Sequence, residues 1–288
     1  MLAAGETPIS WARNMATTAT IRTKVRSSER QAVIAVEREI RAAVRPSRSR
    51  YLAEFAQAFR RYESILGADD VARAARRADL ILIGDYHALH TCQHYAAELL
   101  TRLANDASRP LVLALEAFYS DDQPALDAWF SGEISLEQLR ERTQFDSEWG
   151  YDWEPHRKLL SLARQNCEAV YGLDCRPRFD LRGLRRRDRH ASRVLAQIRR
   201  AHPEAQIVGL VGESHLAPTH LPRLMRKALP RERTLTVLQN CDALYWQALE
   251  GPQVPDAVRV SDDVICAFNA TPLEKYESYR QYLESWGE

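Results

Sequence analysis

Two short stretches, ILIGDYH at residues 81–87 and VGLVGESH at residues 208–215, share one pattern. Each is an apolar run that ends in Gly, an acidic residue, any residue and His. Short unbroken apolar runs of this kind are typical of strands that are buried on both faces of a parallel sheet. A third run, residues 111–115, ends in Glu116. The repeated pattern therefore predicts that two strand ends bring similar polar groups to one site, with Glu116 beside them.

The same type of apolar run recurs along the chain and predicts the fold class. Segments long enough for helices separate the runs, and one of them, Thr91–Asn105, has its apolar residues on a single helical stripe. Strands that alternate with helices form a parallel sheet with helices on both faces. We therefore expect an α/β fold with a mostly parallel sheet of about six strands. The predicted strands are Asp79–Gly84, Pro110–Leu115, Glu168–Leu173, Gln206–Val211, Thr234–Leu238 and Val264–Phe268.

The N-terminal part of the chain has a helical pattern of its own. Apolar residues recur at helical spacing from Glu29 to Ala43, and Pro46 then breaks the pattern. A second amphipathic helix is predicted from Ser49 to Leu66. We expect residues 1–50 to form a partly helical or disordered arm and residues 51–288 to form the α/β domain.

Composition limits the kinds of partner and compartment. The chain has 288 residues, of which 45% are hydrophobic, and its 40 basic residues nearly balance its 39 acidic ones. This balance argues against nucleic acid or an anionic membrane as a partner. Five cysteines without a Cys-x-x-Cys pair argue against a disulfide framework, and no membrane span or secretory signal is evident. We expect a cytoplasmic globular protein, with organelle targeting by the acid-free segment Thr7–Ser28 as the alternative.

Polar residues follow each predicted strand, at the edge of a parallel sheet where ligands bind. Imidazoles and carboxylates can ligate a metal or transfer protons, and a carboxylate can also orient a neighbouring imidazole. The residue types leave these roles open. Glu213 is a candidate for orienting His87 or His215. The residues after the strands are Asp85, His87, Glu116, Asp174, Cys175, Glu213, His215, Asn240 and Asn269.

Three further features are weaker candidates. His90 and Gln93 stand at the predicted start of a helix close to the strand end, whereas His94 points away from its packed face. The segment Trp149–His156 is rich in aromatic residues and predicts either a lid over a planar ligand or an ordinary helix-packing cluster. The Arg-rich segment Arg176–Arg200 predicts a solvated helix face, with contact to an anion or to haem propionates as the alternative.

Taken in order, several motifs resemble the ChaN-like haem-binding uptake family of the Tiki superfamily. That family has two Gly-x-x-His motifs and an intervening Glu. The resemblance spans roughly residues 78–270, with Asp85 in place of the usual Glu of the first motif. The quoted motifs are Gly84-Asp85-Tyr86-His87, Gln93, Glu116, Gln123, the Trp149–His156 region and Gly212-Glu213-Ser214-His215-Leu216-Ala217-Pro218.

The resemblance implies an α/β fold and a ligand or catalytic site, since relatives divide between haem binding and hydrolysis. We expect the chain to bind haem or a divalent metal ion at the strand ends. The alternative is a metal-dependent or acid–base hydrolase of the Tiki or erythromycin-esterase type, and a scaffold role and a homodimer stay open. The implied residues are His87, Glu116, Glu213 and His215 as catalytic groups, Tyr86, His90, Gln93, Trp153 and His156 as cofactor contacts, and His87, Glu116, His215 and Asp85 as metal ligands.

Overall fold

A computed structural model describes residues 27–40, 42, 50–105, 109–178, 183–251 and 254–285. The chain divides into two units, Met1–Pro46 with Tyr276–Glu288, and Ser47–Lys275. In the first unit, residues 27–40 are helical (α1), as predicted, and Arg280 Nη1 donates to Glu39 Oε2 at 3.1 Å. Residues 43–49 and most of the segment Thr7–Ser28 lie outside the described residues. The domain boundary at residue 50 therefore stays a prediction.

The second unit is built on one sheet of eight strands, in the order β1-β7-β8-β6-β2-β5-β3-β4. Strands β8, β6, β2, β5, β3 and β4 run parallel, whereas β7 pairs antiparallel with both β1 and β8. The strands are β1 (Ser64–Leu66), β2 (Leu80–Asp85), β3 (Leu111–Tyr119), β4 (Ala169–Asp174), β5 (Gln206–Gly212), β6 (Thr234–Gln239), β7 (Ala257–Ser261) and β8 (Val264–Ala267).

The mostly parallel α/β class is confirmed, but the predicted number of six strands is wrong. All six predicted strands form, and β1 and β7 are added at one edge. Strand β1 has three residues, two of them exposed, and β7 is only half-buried, so neither shows the unbroken apolar pattern of an interior strand. The prediction that the helix beginning near Ser49 continues to Leu66 is also wrong. The helix ends at Ala58, and Ser64–Leu66 forms a strand that pairs with β7.

Helices cover both faces of the sheet, because alternate strand residues point to opposite sides. Ile81 and Ile83 belong to one apolar core, with residues of α3, α4, α5, α6 and α8. Leu80 and Leu82 belong to the other, with residues of α9, α10 and α11. The remaining helices are α2 (Arg50–Ala58), α3 (Ala68–Arg77), α4 (His90–Asn105), α5 (Gln123–Ser131), α6 (Leu136–Arg142), α7 (Phe145–Glu148), α8 (Trp153–Asn166), α9 (Leu184–Ala201), α10 (Leu221–Ala228), α11 (Asp242–Ala248) and α12 (Pro272–Ser285).

The strand order places the two similar motifs side by side. Strand β5 lies between β2 and β3, and the β2–β5 register pairs Asp85 with Gly212. Strand β3 carries Glu116 in an irregular stretch, where its pairing with β4 shifts between Leu115 and Tyr119. None of the described helices is long and apolar enough to cross a membrane.

Candidate functional site

Glu116 lies at the centre of a buried polar network at the carboxyl edge of the sheet. Its Oε2 accepts a hydrogen bond from the Gly212 backbone N–H, and its Oε1 accepts one from Arg187 Nη2. His215 Nε2 lies 3.3 Å from the same Oε1. Burial alone would raise the pKa of Glu116, but the charges of His215 and Arg187 outweigh it and hold the pKa well below its usual range. Glu116 is therefore a permanent carboxylate.

His215 is held between two carboxylates. Its Nδ1 lies 2.6 Å from Asp188 Oδ1, on the opposite side of the ring from Glu116. The side chain is buried, which disfavours a charged ring, yet the two carboxylates raise its pKa to about 9. At neutral pH the ring is an imidazolium that donates from both nitrogens.

Two arginines neutralise the negative charges of the Glu116 and Asp174 carboxylates. Arg187 donates to Asp174 through Nε at 2.7 Å and Nη2 at 2.8 Å, in addition to Glu116. Arg178 donates to Asp174 Oδ2 at 2.7 Å and to the Glu116 carbonyl at 3.0 Å. These fork-shaped contacts are the geometry in which guanidinium groups bind carboxylates most strongly.

The expectation of a solvated face for the Arg-rich segment is therefore wrong for its central residues. Arg187 and Asp188 are buried, and both contact the histidine–carboxylate network. A signal for them exists in the sequence. They fall on the stripe of α9 that also carries Leu184, Ala191 and Leu195, which are buried.

His87 is the more accessible of the two motif histidines. Its Nδ1 lies 2.8 Å from Asp85 Oδ2, and 20% of its side chain is exposed. Gln93 Nε2 donates to the other oxygen of Asp85 and to the His87 carbonyl at 3.4 Å. The ring centroids of Trp149 and Tyr151 lie 4.4 Å and 5.1 Å from that of His87. Asp85 and Gln93 thus fix the ring, with aromatic residues around it.

Glycine at position 212 lets His87 and Glu116 pack closely against the end of β5. A Cβ at this position would lie 3.0 Å from His87 Nε2 and 3.2 Å from Glu116 Oε2. On the other side of Glu116, a cavity of about 10 Å³ is lined by Arg187 and His215, among others. A space of this size holds about one water molecule. The interior of the site therefore has room for a water-sized group.

Glu213, the acidic residue of the second motif, contacts neither histidine through a hydrogen bond or ion pair. Its Oε2 accepts from Lys275 Nζ at 3.1 Å, and Lys275 Nζ also lies 4.8 Å from the centre of the Tyr86 ring. Burial raises the pKa of Glu213, although Lys275 opposes this shift. The orienting carboxylates are instead Asp85 for His87 and Asp188 for His215.

The remaining predicted contacts divide between core and surface. Trp153 packs in the core against Phe145, with ring centroids 4.8 Å apart. His156 is buried, its Nδ1 lies 3.3 Å from the Asp152 carbonyl, and burial lowers its pKa to about 4. His90 is half exposed, and its Nε2 lies 3.2 Å from Asp152 Oδ2. Of these three, only His90 faces solvent.

The predicted metal ligands do not converge as a chelating group. Within the described part of the chain, no cluster of three or more His, Cys, Asp or Glu side chains is arranged to hold a metal ion. Glu116 is bound by Arg187 and by the Gly212 N–H, which compete with a cation for its oxygens.

The fold and the site together define a class of protein. It is an α/β protein with an eight-stranded sheet that carries histidines and carboxylates at the carboxyl edge of its parallel strands. Residues 71–186 match the family described as haem-binding uptake, Tiki superfamily, ChaN. The predicted resemblance is confirmed over this segment, which is less than half of the chain. The segment contains His87 and Glu116 but ends before Asp188 and His215. A search of curated proteins found no match.

Two solved structures share the fold. One shows cofacial haem binding to ChaN of Campylobacter jejuni, with 14% identity, a TM-score of 0.51, and coverage of 69% of this chain and 91% of that one. The other is the type III effector HopBA1, with 16% identity, a TM-score of 0.56, and coverage of 75% and 99%. At this level of identity the similarity concerns the fold.

Proposed function

We propose that this protein binds haem on the surface beside its strand-end site. The observation that carries the proposal is a pair of accessible imidazoles next to an aromatic ring. The side chains of His87 and His90 are 20% and 50% exposed, and the Tyr151 ring centroid lies 5.1 Å from that of His87. We call His87, His90, Tyr151 and Asp152 the rim.

The chemistry of the rim suits haem iron better than a chelated ion. Haem iron takes one or two axial ligands from the protein, and imidazole is a common one. A ligating histidine usually has its second nitrogen bound to a carboxylate or carbonyl. His90 has this arrangement, because its Nε2 is held by Asp152. The matched family is described as haem-binding, which supports the same ligand.

The interior of the site does not fit a porphyrin. A methyl group at position 212 would already crowd His87 and Glu116, and the cavity beside His215 has a volume of about 10 Å³. Haem is therefore proposed on the rim and not against Glu116. The predicted homodimer and cytoplasmic location remain predictions.

Titration of the purified protein with haemin tests this proposal. We expect a saturable shift of the Soret band, weakened at least tenfold in affinity by His87→Ala or His90→Ala. His202→Ala is the matched control, because the His202 side chain is also partly exposed (19%) and also pairs with a carboxylate, that of Glu168, at 3.4 Å. Glu168 precedes β4 and so lies at the opposite edge of the sheet from the rim. Absence of a saturable change at micromolar haemin, or equal loss in the control, would count against rim binding.

A second candidate function is acid–base hydrolysis, which the arrangement of His87 and Glu116 around Gly212 favours. His87 Nε2 and Glu116 Oε2 both lie close to Gly212, and within the described residues His87 Nε2 makes no hydrogen bond. His87 Nε2 is available to accept a proton from a water molecule, while the His215 imidazolium can donate one to a leaving group. The Glu116 carboxylate stabilises the positive charge of the His215 ring.

Gly212→Ala is the sharpest test of hydrolysis, because its methyl group would crowd both His87 Nε2 and Glu116 Oε2. We expect at least a tenfold loss of turnover of p-nitrophenyl acetate or dye-labelled casein, whichever the wild type cleaves. Gly209→Ala, on the same strand, is the control, since its Cβ would meet the end of the Leu82 side chain at 3.3 Å. A wild-type protein that cleaves neither probe, or an active Gly212→Ala variant, would remove this candidate.

A further inference from the structure

Tyr51, on helix α2, reaches the strand-end network from outside the segment that matches the family. Its hydroxyl donates to Asp188 Oδ2, and its ring stands edge-on to that of His215, with centroids 6.3 Å apart. The side chain is 5% exposed. The residue is therefore part of the buried network and not a surface tyrosine.

Asp188 has a different partner on each carboxylate oxygen. Oδ2 accepts from Tyr51, and Oδ1 lies 2.6 Å from His215 Nδ1. A carboxylate held at both oxygens cannot rotate about its Cβ–Cγ bond without breaking a hydrogen bond. The Tyr51 hydroxyl thus fixes the acceptor that in turn fixes the His215 ring, whose Nε2 lies 3.3 Å from Glu116.

Tyr51 is itself held in place by contacts on its other side. Its ring stacks on His220, with centroids 3.4 Å apart and planes inclined by 10°. His220 is fixed by Glu54 of α2 at 3.1 Å and by the Ser214 carbonyl at 2.8 Å. Because Ser214 directly precedes His215, the tyrosine is anchored to the same turn that it serves.

We propose that Tyr51 is a positioning residue of the strand-end site: it orients Asp188, and through Asp188 the ring of His215. Helix α2 thereby completes a site whose other parts lie within β3, at or just after the ends of β2 and β5, or on α9. The assignment of a functional role to this orientation rests on the second candidate function, acid–base hydrolysis, in which His215 donates a proton. The orientation of the ring does not.

The proton on His215 Nδ1 provides a direct measurement. A proton shared between an imidazolium and a buried carboxylate gives a far-downfield resonance that exchanges slowly with solvent. In Tyr51→Phe, which keeps the ring stacked on His220, we expect this proton to exchange at least tenfold faster. The matched control is Tyr171→Phe, which removes a tyrosine hydroxyl 2.9 Å from His202 Nε2 and should leave the His215 resonance unchanged.

An unchanged exchange rate and resonance in folded Tyr51→Phe would overturn the proposal. If that variant does not fold, 3-fluorotyrosine at position 51 keeps the shape and makes the hydroxyl a stronger donor. It should then move the His215 resonance, and an unmoved resonance would overturn the proposal as well. Neither measurement needs haem or a substrate, so failure of haem binding or hydrolysis is a separate outcome.

Discussion

The two Gly-acid-x-His motifs are alike in sequence and differ in structure. In the first, Asp85 binds the histidine of its own motif, His87, at 2.8 Å. In the second, Glu213 turns away to Lys275, and His215 takes its carboxylates from Glu116 and Asp188, on a neighbouring strand and a helix. A shared motif therefore predicts where a histidine lies, but not which acid accompanies it.

Local backbone geometry explains the difference. Asp85 is the last residue of β2, and His87 lies in the turn that follows, where its ring folds back on the Asp85 carboxylate. Glu213 opens a 3₁₀ turn, Glu213–Leu216, in which residues two apart diverge by about two thirds of a turn. The same spacing thus brings acid and histidine together in one motif and separates them in the other.

The largest expected difference between the motifs is in stability. His215→Ala would leave Glu116 and Asp188 buried without the cation between them, and breaking a buried ion pair costs about 3–5 kcal/mol. His87→Ala removes a partly exposed ring and one hydrogen bond, which costs about 1 kcal/mol. Urea denaturation of both variants measures the two free energies of unfolding. Equal losses would show that the buried charges around His215 are not coupled to it.

The pH dependence of stability should also separate the two motifs. The pKa of His215 in the folded protein, about 9, is above its ordinary value of 6.5, so protonation stabilises the fold. This contribution is complete below about pH 6.5 and is lost as the pH rises to about 9, a change of about 3 kcal/mol. Denaturation at pH 6 and pH 9.5 measures it, and Asp188→Asn should reduce it. A wild type equally stable at both pH values would contradict a charged His215.

A smaller effect is expected from the acidic residues of the motifs themselves. Asp85→Asn weakens charge-assisted hydrogen bonds from His87 and Gln93, at a cost of about 1.5–3 kcal/mol. Glu213→Gln should cost about 1 kcal/mol or less, because burial already disfavours the charged form and the amide can still accept from Lys275. Thermal unfolding of the two variants measures which substitution costs more stability. A larger loss in Glu213→Gln than in Asp85→Asn would refute the partners assigned to the two acids.

Much of the fold could be predicted because its interior strands are short, apolar and regularly spaced. The six parallel strands and helix α4 follow from that pattern alone. Strand β1 at the edge of the sheet and its neighbour β7 do not show this pattern, because both are partly solvated and are held by antiparallel pairing, which composition does not reveal.

The candidate site could be predicted only in part, for a different reason. Strand-end residues such as His87 and Glu116 are positioned by the sheet, and that edge is predictable. Arg187, Asp188 and Tyr51 come from helices, and their partners depend on how each helix packs across the sheet. Arg187 and Asp188 could have been recognised as charged residues on an apolar helical stripe. No pattern in α2 indicates Tyr51.

The position of β5 has a consequence for folding. Strands β2 and β3 follow each other in the chain but are not neighbours, because β5 is inserted between them after some ninety further residues have been made. Pairing across so long a loop is slow relative to local structure. Gly212, His215 and the Glu116 contacts therefore come together only when this central strand enters the sheet. Formation of the network is a marker of completed folding, and a chain that ends before Gln206 would retain one motif and lack the site.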